Sequence, residues 1–188
     1  MLKKILIGFA VVVGVFVVIV LTRPNTLAVT RSAVVPASPE VAFAAVADFK
    51  RWAAWSPWEK LDPAMKKSYE GEPSGSGAIY RWAGNDDVGE GRMTITEAKP
   101  GQELTIRLEF LKPWTATNTT SFSFVASGTG TRVTWSMTGE QSFMAKAFGL
   151  FMDMDAMIGA DFEKGLSGLA AVVAAPPAPA PVAAPATP

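Results

Sequence analysis

The chain contains no cysteine and no histidine. These two absences together remove thiol nucleophiles, disulfides, the usual zinc sites and imidazole general bases, and with them much of ordinary enzyme chemistry. They leave the redox compartment unmarked, since a disulfide-free domain folds on either side of a membrane. An excess of charge of one sign is also missing: 17 Lys plus Arg balance 17 Asp plus Glu. With no net field to attract a polyphosphate, nucleic acid is not an expected partner. Clusters with the spacing of a metal loop or an acid/base pair are absent too. Asp86, Asp87 and Glu90 gather near a hairpin tip without an established calcium spacing and read as solvated turn residues. Asp153 and Asp155, on a helical segment with Asp161, point in different directions. No metal and no cofactor is expected. At 188 residues the chain has room for one core beside its terminal segments.

What the chain does have is a long apolar run at its start. Residues 5–21 are all apolar or glycine, with Lys3 and Lys4 before them and Arg23-Pro24 after. At about 1.5 Å per residue the run rises roughly 26 Å, close to the hydrocarbon thickness of about 30 Å. Two readings fit: an uncleaved single-pass anchor, and a cleaved signal peptide with a weak small-residue site at Thr26-Leu27-Ala28. The length of the run and the weakness of that site favour the anchor. Lys3, Lys4 and the amino terminus outweigh Arg23, which places the start in the cytoplasm and the following domain outside it. At the other end, residues 174–188 are nearly all Ala, Pro and Val, the composition of a disordered or polyproline-II-like spacer. The expected organisation is an anchor over 1–24, one domain over 25–173 and a tail over 174–188.

Inside the domain the period of the sequence changes twice. Residues 27–35 read as a strand closed by Pro36, and Ser38-Pro39-Glu40 follows as a helix start: an N-cap serine, proline in the first turn and an acid beside it. That helix should bury Val41, Ala42, Ala45, Val46 and Phe49 and end before a dense aromatic turn containing Trp52, Trp55, Ser56, Pro57 and Trp58. Short alternating runs follow at 67–70, 77–82, 91–98, 103–110, 117–125 and 131–139, separated by turn residues such as Asn85-Asp86 and Pro100-Gly101. They predict an antiparallel sheet with one large apolar face. Residues 143–173 return to helical spacing, with Phe151, Ile158, Phe162, Leu169 and Val172 along one stripe, and supply the cover for that face. Gly149, Gly159, Gly165 and Gly168 each weaken a helix interior by about 1 kcal/mol, which implies close packing there.

This order of elements resembles the START/Bet v 1-like helix-grip superfamily, and within it the SRPBCC branch of polyketide cyclases and lipid-transport proteins. The resemblance is carried by residues 38–43 (Ser-Pro-Glu-Val-Ala-Phe), Trp55-Ser56-Pro57-Trp58, Tyr80-Arg81-Trp82 with residues 89–93, Gly130-Thr131-Arg132-Val133-Thr134-Trp135, and residues 159–166. It implies an α+β fold in which a curved antiparallel sheet wraps a long C-terminal helix around an apolar cavity, with activities ranging from lipid or hormone carriage to ring cyclisation. A fold of this kind fixes a pocket but not a chemistry.

If the cavity is present, the sheet nominates Trp82, Met93, Phe110, Trp135 and Met137 as its lining, with Phe148 and Met152 opposite; the same residue types suit a plain core. Arg81, Arg92, Arg107 and Glu109 are strand charges that either enter the cavity or, as alternation indicates, face water. Three functions follow as expectations. The first is a membrane-tethered module that binds a hydrophobic small molecule or lipid. The second is a cyclase- or hydrolase-like enzyme with Glu109 or Glu70 as base, and its weakness is the missing histidine. The third is a scaffold whose cavity has closed, contacting a partner through Trp52, Trp55 and Trp58 or the tail; an exposed tryptophan patch would favour it and a filled core beneath would not. Asn118-Thr119-Thr120 fits a glycosylation acceptor but falls within a strand.

Overall fold

The alternating segments pair as the pattern requires. A computed structural model describes residues 1–174. Its seven strands are β1 (Thr26–Val35), β2 (Lys66–Gly71), β3 (Ala78–Ala83), β4 (Glu90–Lys99), β5 (Glu103–Lys112), β6 (Ala116–Ser127) and β7 (Gly130–Glu140). They form one antiparallel sheet in the order β1-β7-β6-β5-β4-β3-β2. Strand period then decides burial: Val29 and Val35, Leu104 and Ile106, Phe122 and Phe124, and Val133 and Trp135 are all buried on one face.

Among the described residues there are also four α-helices: α1 (Leu2–Thr22), α2 (Pro39–Ala47), α3 (Phe143–Phe148) and α4 (Met154–Ala174). In α2, Ser38 caps the start by accepting from the Val41 N–H, and Pro39 occupies the first turn. Ala42, Ala45 and Val46 are buried as expected, but Val41 is 47% exposed, and the inward aromatic of this helix is Phe43. Phe49 is buried from the following 3-10 turn, Phe49–Ala54, which leads to a second, Pro57–Lys60.

Residues 143–173 do not form one helix. Ser142 caps α3, α3 ends at Gly149, and Asp153 accepts from the Ala156 N–H to start α4. Phe151 falls in the break and is 80% exposed, so it does not belong to the buried stripe; Phe162, Leu166 and Leu169 do. Cover of the sheet is also shared differently from the expectation. α4 runs chiefly along the edge strand β1, and the middle of the inner face is filled by aromatic side chains from the two 3-10 turns. The tail proposed over residues 174–188 lies outside the described residues, apart from Ala174, which closes α4.

Candidate ligand-binding site

The inner face is a set of cross-strand rows fixed by register. One row runs Trp82, Gly91, Phe110, Ala116, and the next runs Tyr80, Met93, Leu108, Asn118, Gly139, Leu27. The third holds Ile95, Ile106, Thr120, Met137 and Val29, and the fourth holds Ala98, Leu104, Phe122, Trp135 and Arg31. Trp82, Met93, Phe110, Trp135 and Met137 therefore share one face and descend diagonally from β3 to β7. Gly91 is what lets the first row close: a Cβ there would collide with the Trp82 ring and sit 2.6 Å from the Glu109 carbonyl. The indole lies across β4 instead, meeting Phe110 edge to face at 6.0 Å, while its Nε1 donates to the Val88 carbonyl at 2.9 Å.

Trp135 sits at the centre of the packing. It stacks on Phe162 of α4 at 4.2 Å and 6°, and meets Phe122 at 4.7 Å and Trp58 at 5.7 Å. Trp52 and Trp55 are buried behind it, their indole N–H groups donating to the carbonyls of Val46 and Ala45. The tryptophan cluster thus forms a filled core and offers no exposed patch at Trp52 and Trp55. Among the described residues, the Trp135 Nε1 is the buried side-chain polar atom without a hydrogen-bond partner. Toward the end of the face near β1's start, cover thins: Leu27, Leu108, Phe110, Asn118 and Ile158 are only half-buried.

Phe148 and Met152 are not opposite these residues. Both are about half exposed, beside the C-terminal end of α1, where Met152 borders a cleft of about 470 Å3 shared with Arg23, Leu27, Gln141 and Leu150. A smaller cleft of about 220 Å3 runs along the ends of β2, β3 and β4 and includes Lys67, Trp82, Gly91 and Leu111. Neither contains Met93, Phe110, Trp135 or Met137.

Polar groups divide as the alternation indicates. Arg92 donates to Glu109 at 2.8 Å, Arg107 reaches the same carboxylate at 3.2 Å, and Arg81 pairs with Glu70 at 2.9 Å, all on the outer face. Both carboxylates nominated as bases are therefore held in ion pairs away from the inner wall. Glu90 pairs across to Lys112 of β5 at 2.6 Å, the Asn85 side-chain carbonyl accepts from the Asp87 backbone N–H, and Asp86 and Asp87 are exposed in the turn.

Three inner polar residues escape the sequence reading. Glu59, almost fully buried, accepts from the Tyr80 hydroxyl at 2.7 Å and pairs with Lys67, tying a 3-10 turn to the sheet edge. Burial first, and then the bond to Glu59, pushes the Tyr80 phenol far above its ordinary range. Arg31 projects from β1 beneath α4 and forks to Asp155 at 2.9 Å and Glu163 at 3.0 Å; the hydrogen bond from Arg31 holds the Asp155 carboxyl below the usual aspartate range. Asn118 faces inward with its amide 3.6 Å from the Met137 sulfur, which turns the potential glycosylation acceptor into part of the wall. Strand parity carries two of these signals: Arg31 is in step with Val29 and Ala33, and Asn118 with Phe122 and Phe124.

Residues 26–174 match the family described as polyketide cyclase / dehydrase and lipid transport. No curated protein matches the chain. Among solved structures, protein CV1439 from Chromobacterium violaceum is similar at 16% identity and TM-score 0.56, covering 81% of this chain and 100% of that one. The Aha1 dimer from Colwellia psychrerythraea gives 14% identity and TM-score 0.56 over 78% of this chain and 96% of that one. DynU16, a protein in the dynemicin biosynthetic locus, gives 18% and 0.55 over 81% of this chain and 48% of that one. At these identities the likeness is one of fold.

Proposed function

The chain belongs to the polyketide cyclase / dehydrase and lipid transport family, and from that premise we propose that it is a membrane-anchored module binding a hydrophobic small molecule or lipid against the inner face of its sheet. The observation that carries this reading is the uneven cover of that face. Because α4 lies along β1, Leu108 and Phe110 stay half-buried while Leu104 and Ile106 on the same strand are sealed. Trp82, Met93, Phe110, Met137 and, deeper, Trp135 would supply adaptable apolar contact. Asn118 at the open end, and the unpaired Trp135 N–H within, are the polar groups suited to fix a ligand's orientation.

α1 supports the tether: its 21 residues, at about 1.5 Å each, rise about 31 Å, and its apolar side chains are exposed almost throughout. Lys3 and Lys4 before α1, against Arg23 after it, support a domain outside the cytoplasm on the charge rule. Ligand binding is favoured over catalysis by the pairing of Glu70 and Glu109 on the outer face. The test is a titration of the reconstituted full chain with a fluorescent fatty acid, read by energy transfer from tryptophan. Saturable binding at one probe per chain, weakened by Phe110→Glu, supports the reading. Transfer that only rises with total lipid and ignores Phe110→Glu refutes it.

A further inference from the structure

α3 is built inside out for a helix in water. Its lysine points inward: Lys146 is buried and donates to the Asn25 side-chain carbonyl. Its large apolar residues point outward. Phe143, Met144 and Phe148 are exposed, and Phe151 and Met152 of the following turn extend the same surface. Single exposed hydrophobes are ordinary, but five within ten residues, on a segment whose charge is tucked away, form a patch that water does not favour.

The neighbour of this patch identifies what covers it. α3 packs against α1, and the shielded residues of α1, namely Phe16, Val17 and Val20, fall on one side of its C-terminal half. Arg23, one residue beyond α1, donates to the Gly149 carbonyl at 3.2 Å. Phe16 to Thr22 spans about 9 Å of helix rise, so α3 lies alongside roughly the last 9 Å of the apolar run. If α1 crosses the bilayer, α3 sits at the depth of an interfacial helix, about 5–10 Å into the headgroup and acyl boundary. Its ends suit that layer. Ser142 accepts from the Ala145 N–H at the start, and Arg23 serves a carbonyl at the finish, so fewer backbone groups meet lipid unpaired.

We propose that α3 and the turn at residues 149–152 insert into the lipid interface of the leaflet on the domain's side, and that this seats the half-covered end of the sheet against the bilayer. The seating follows from register: Leu27, Gly139, Asn118 and Leu108 share a row near that end, and β1 starts four residues after α1 stops. A hydrophobic ligand would then pass between bilayer and inner face without crossing bulk water. The inference rests on α1 being a retained anchor.

Because the chain has no cysteine, a single introduced one takes an environment-sensitive dye at one site. The full chain is reconstituted in phosphatidylcholine vesicles with and without doxyl-labelled lipid, carrying the dye in turn at Met144→Cys, Phe151→Cys, Val12→Cys within α1, and Val125→Cys at the far end of the sheet. The expected result is loss of emission to doxyl lipid at 12, 144 and 151, with iodide quenching confined to 125. Quenching by doxyl lipid at 12 but by iodide at 144 and 151 overturns the inference and leaves the anchor standing. Protection of 144 and 151 from both quenchers assigns the patch to a protein partner and also overturns it. Loss of lipid quenching at 12 removes the anchor itself, and the inference with it.

Discussion

Replacing Gly165 by alanine sets two opposed terms against each other. In an exposed helix interior the change would stabilise by about 1 kcal/mol, because alanine loses less backbone entropy than glycine. In α4 the new Cβ would stand 2.7 Å from Trp135 Cζ3 and 3.3 Å from Pro57 Cδ, whereas carbon atoms settle at about 3.5–4.0 Å. The indole cannot swing away, since Phe162 lies flat on it at 4.2 Å and Phe122 packs at 4.7 Å. The helix must retreat by close to 1 Å, lifting Phe162, Leu166 and Leu169 from the sheet; overpacking of this kind costs about 1–3 kcal/mol. The net expectation is a destabilisation of up to about 2 kcal/mol, from the difference of those two terms. Gly168→Ala should behave alike, because its Cβ would lie 2.6 Å from the Trp55 carbonyl. Gly159→Ala should be milder, since the nearest atoms to its Cβ are those of the Arg31 guanidinium, whose displacement gives up the exposed ion pairs to Asp155 and Glu163 rather than shifting backbone. Urea unfolding of the full chain in detergent, followed by tryptophan fluorescence, ranks the three. Stabilisation of Gly165→Ala by about 1 kcal/mol, the value for an unhindered helix, would refute the close approach of α4.

Three further outcomes follow from the same contacts. Trp135→Phe should cost within about 1 kcal/mol, because lost area is offset by removing an unpaired buried N–H, whereas Trp135→Ala should cost about 3–5 kcal/mol in the same unfolding assay. Tyr80→Phe should cost about 1–3 kcal/mol by leaving the buried Glu59 carboxylate without its phenol donor; Glu59→Gln in the Tyr80→Phe background should then recover part of the loss. The depressed Asp155 carboxyl contributes stability that is fully present above the ordinary aspartate value, about pH 4, and is lost as pH falls through its lower folded value. Asp155→Asn should flatten that acid limb by lowering stability at neutral pH by the amount the natural chain loses on acidification, and this is small because the pair is exposed.

Local signals and long-range pairings divided what could be read from the chain. Each expected strand pairs within a few residues of its reading, because alternation and turn chemistry are properties of neighbouring residues, and Ser38 caps α2 by the same local logic. The break between α3 and α4 was also local, marked by Gly149 and the capping Asp153, but the helical spacing on both sides outweighed it. Phe151 was misplaced as a result. Arg31 and Glu59 were hidden for a different reason. Arg31 finds its partners 124 and 132 positions along the chain, and Glu59 meets a tyrosine 21 positions away. The inner-face set from Trp82 to Met137 was legible from parity alone, while Phe148 and Met152 failed to join it because helical spacing does not say over which element a helix lies. That depends on β1 being the edge that Arg31 fastens to α4.

The most direct measurement is native mass spectrometry, with lipid extraction, of the full chain purified in mild detergent from the cells that make it. A hydrophobic compound bound at one per chain, and lost in Phe110→Glu but retained in a surface change such as Val125→Glu, is the result expected if the inner face is a binding site. A chain that is ligand-free both as purified and after exposure to lipid extracts, or a bound compound indifferent to Phe110→Glu, would contradict it.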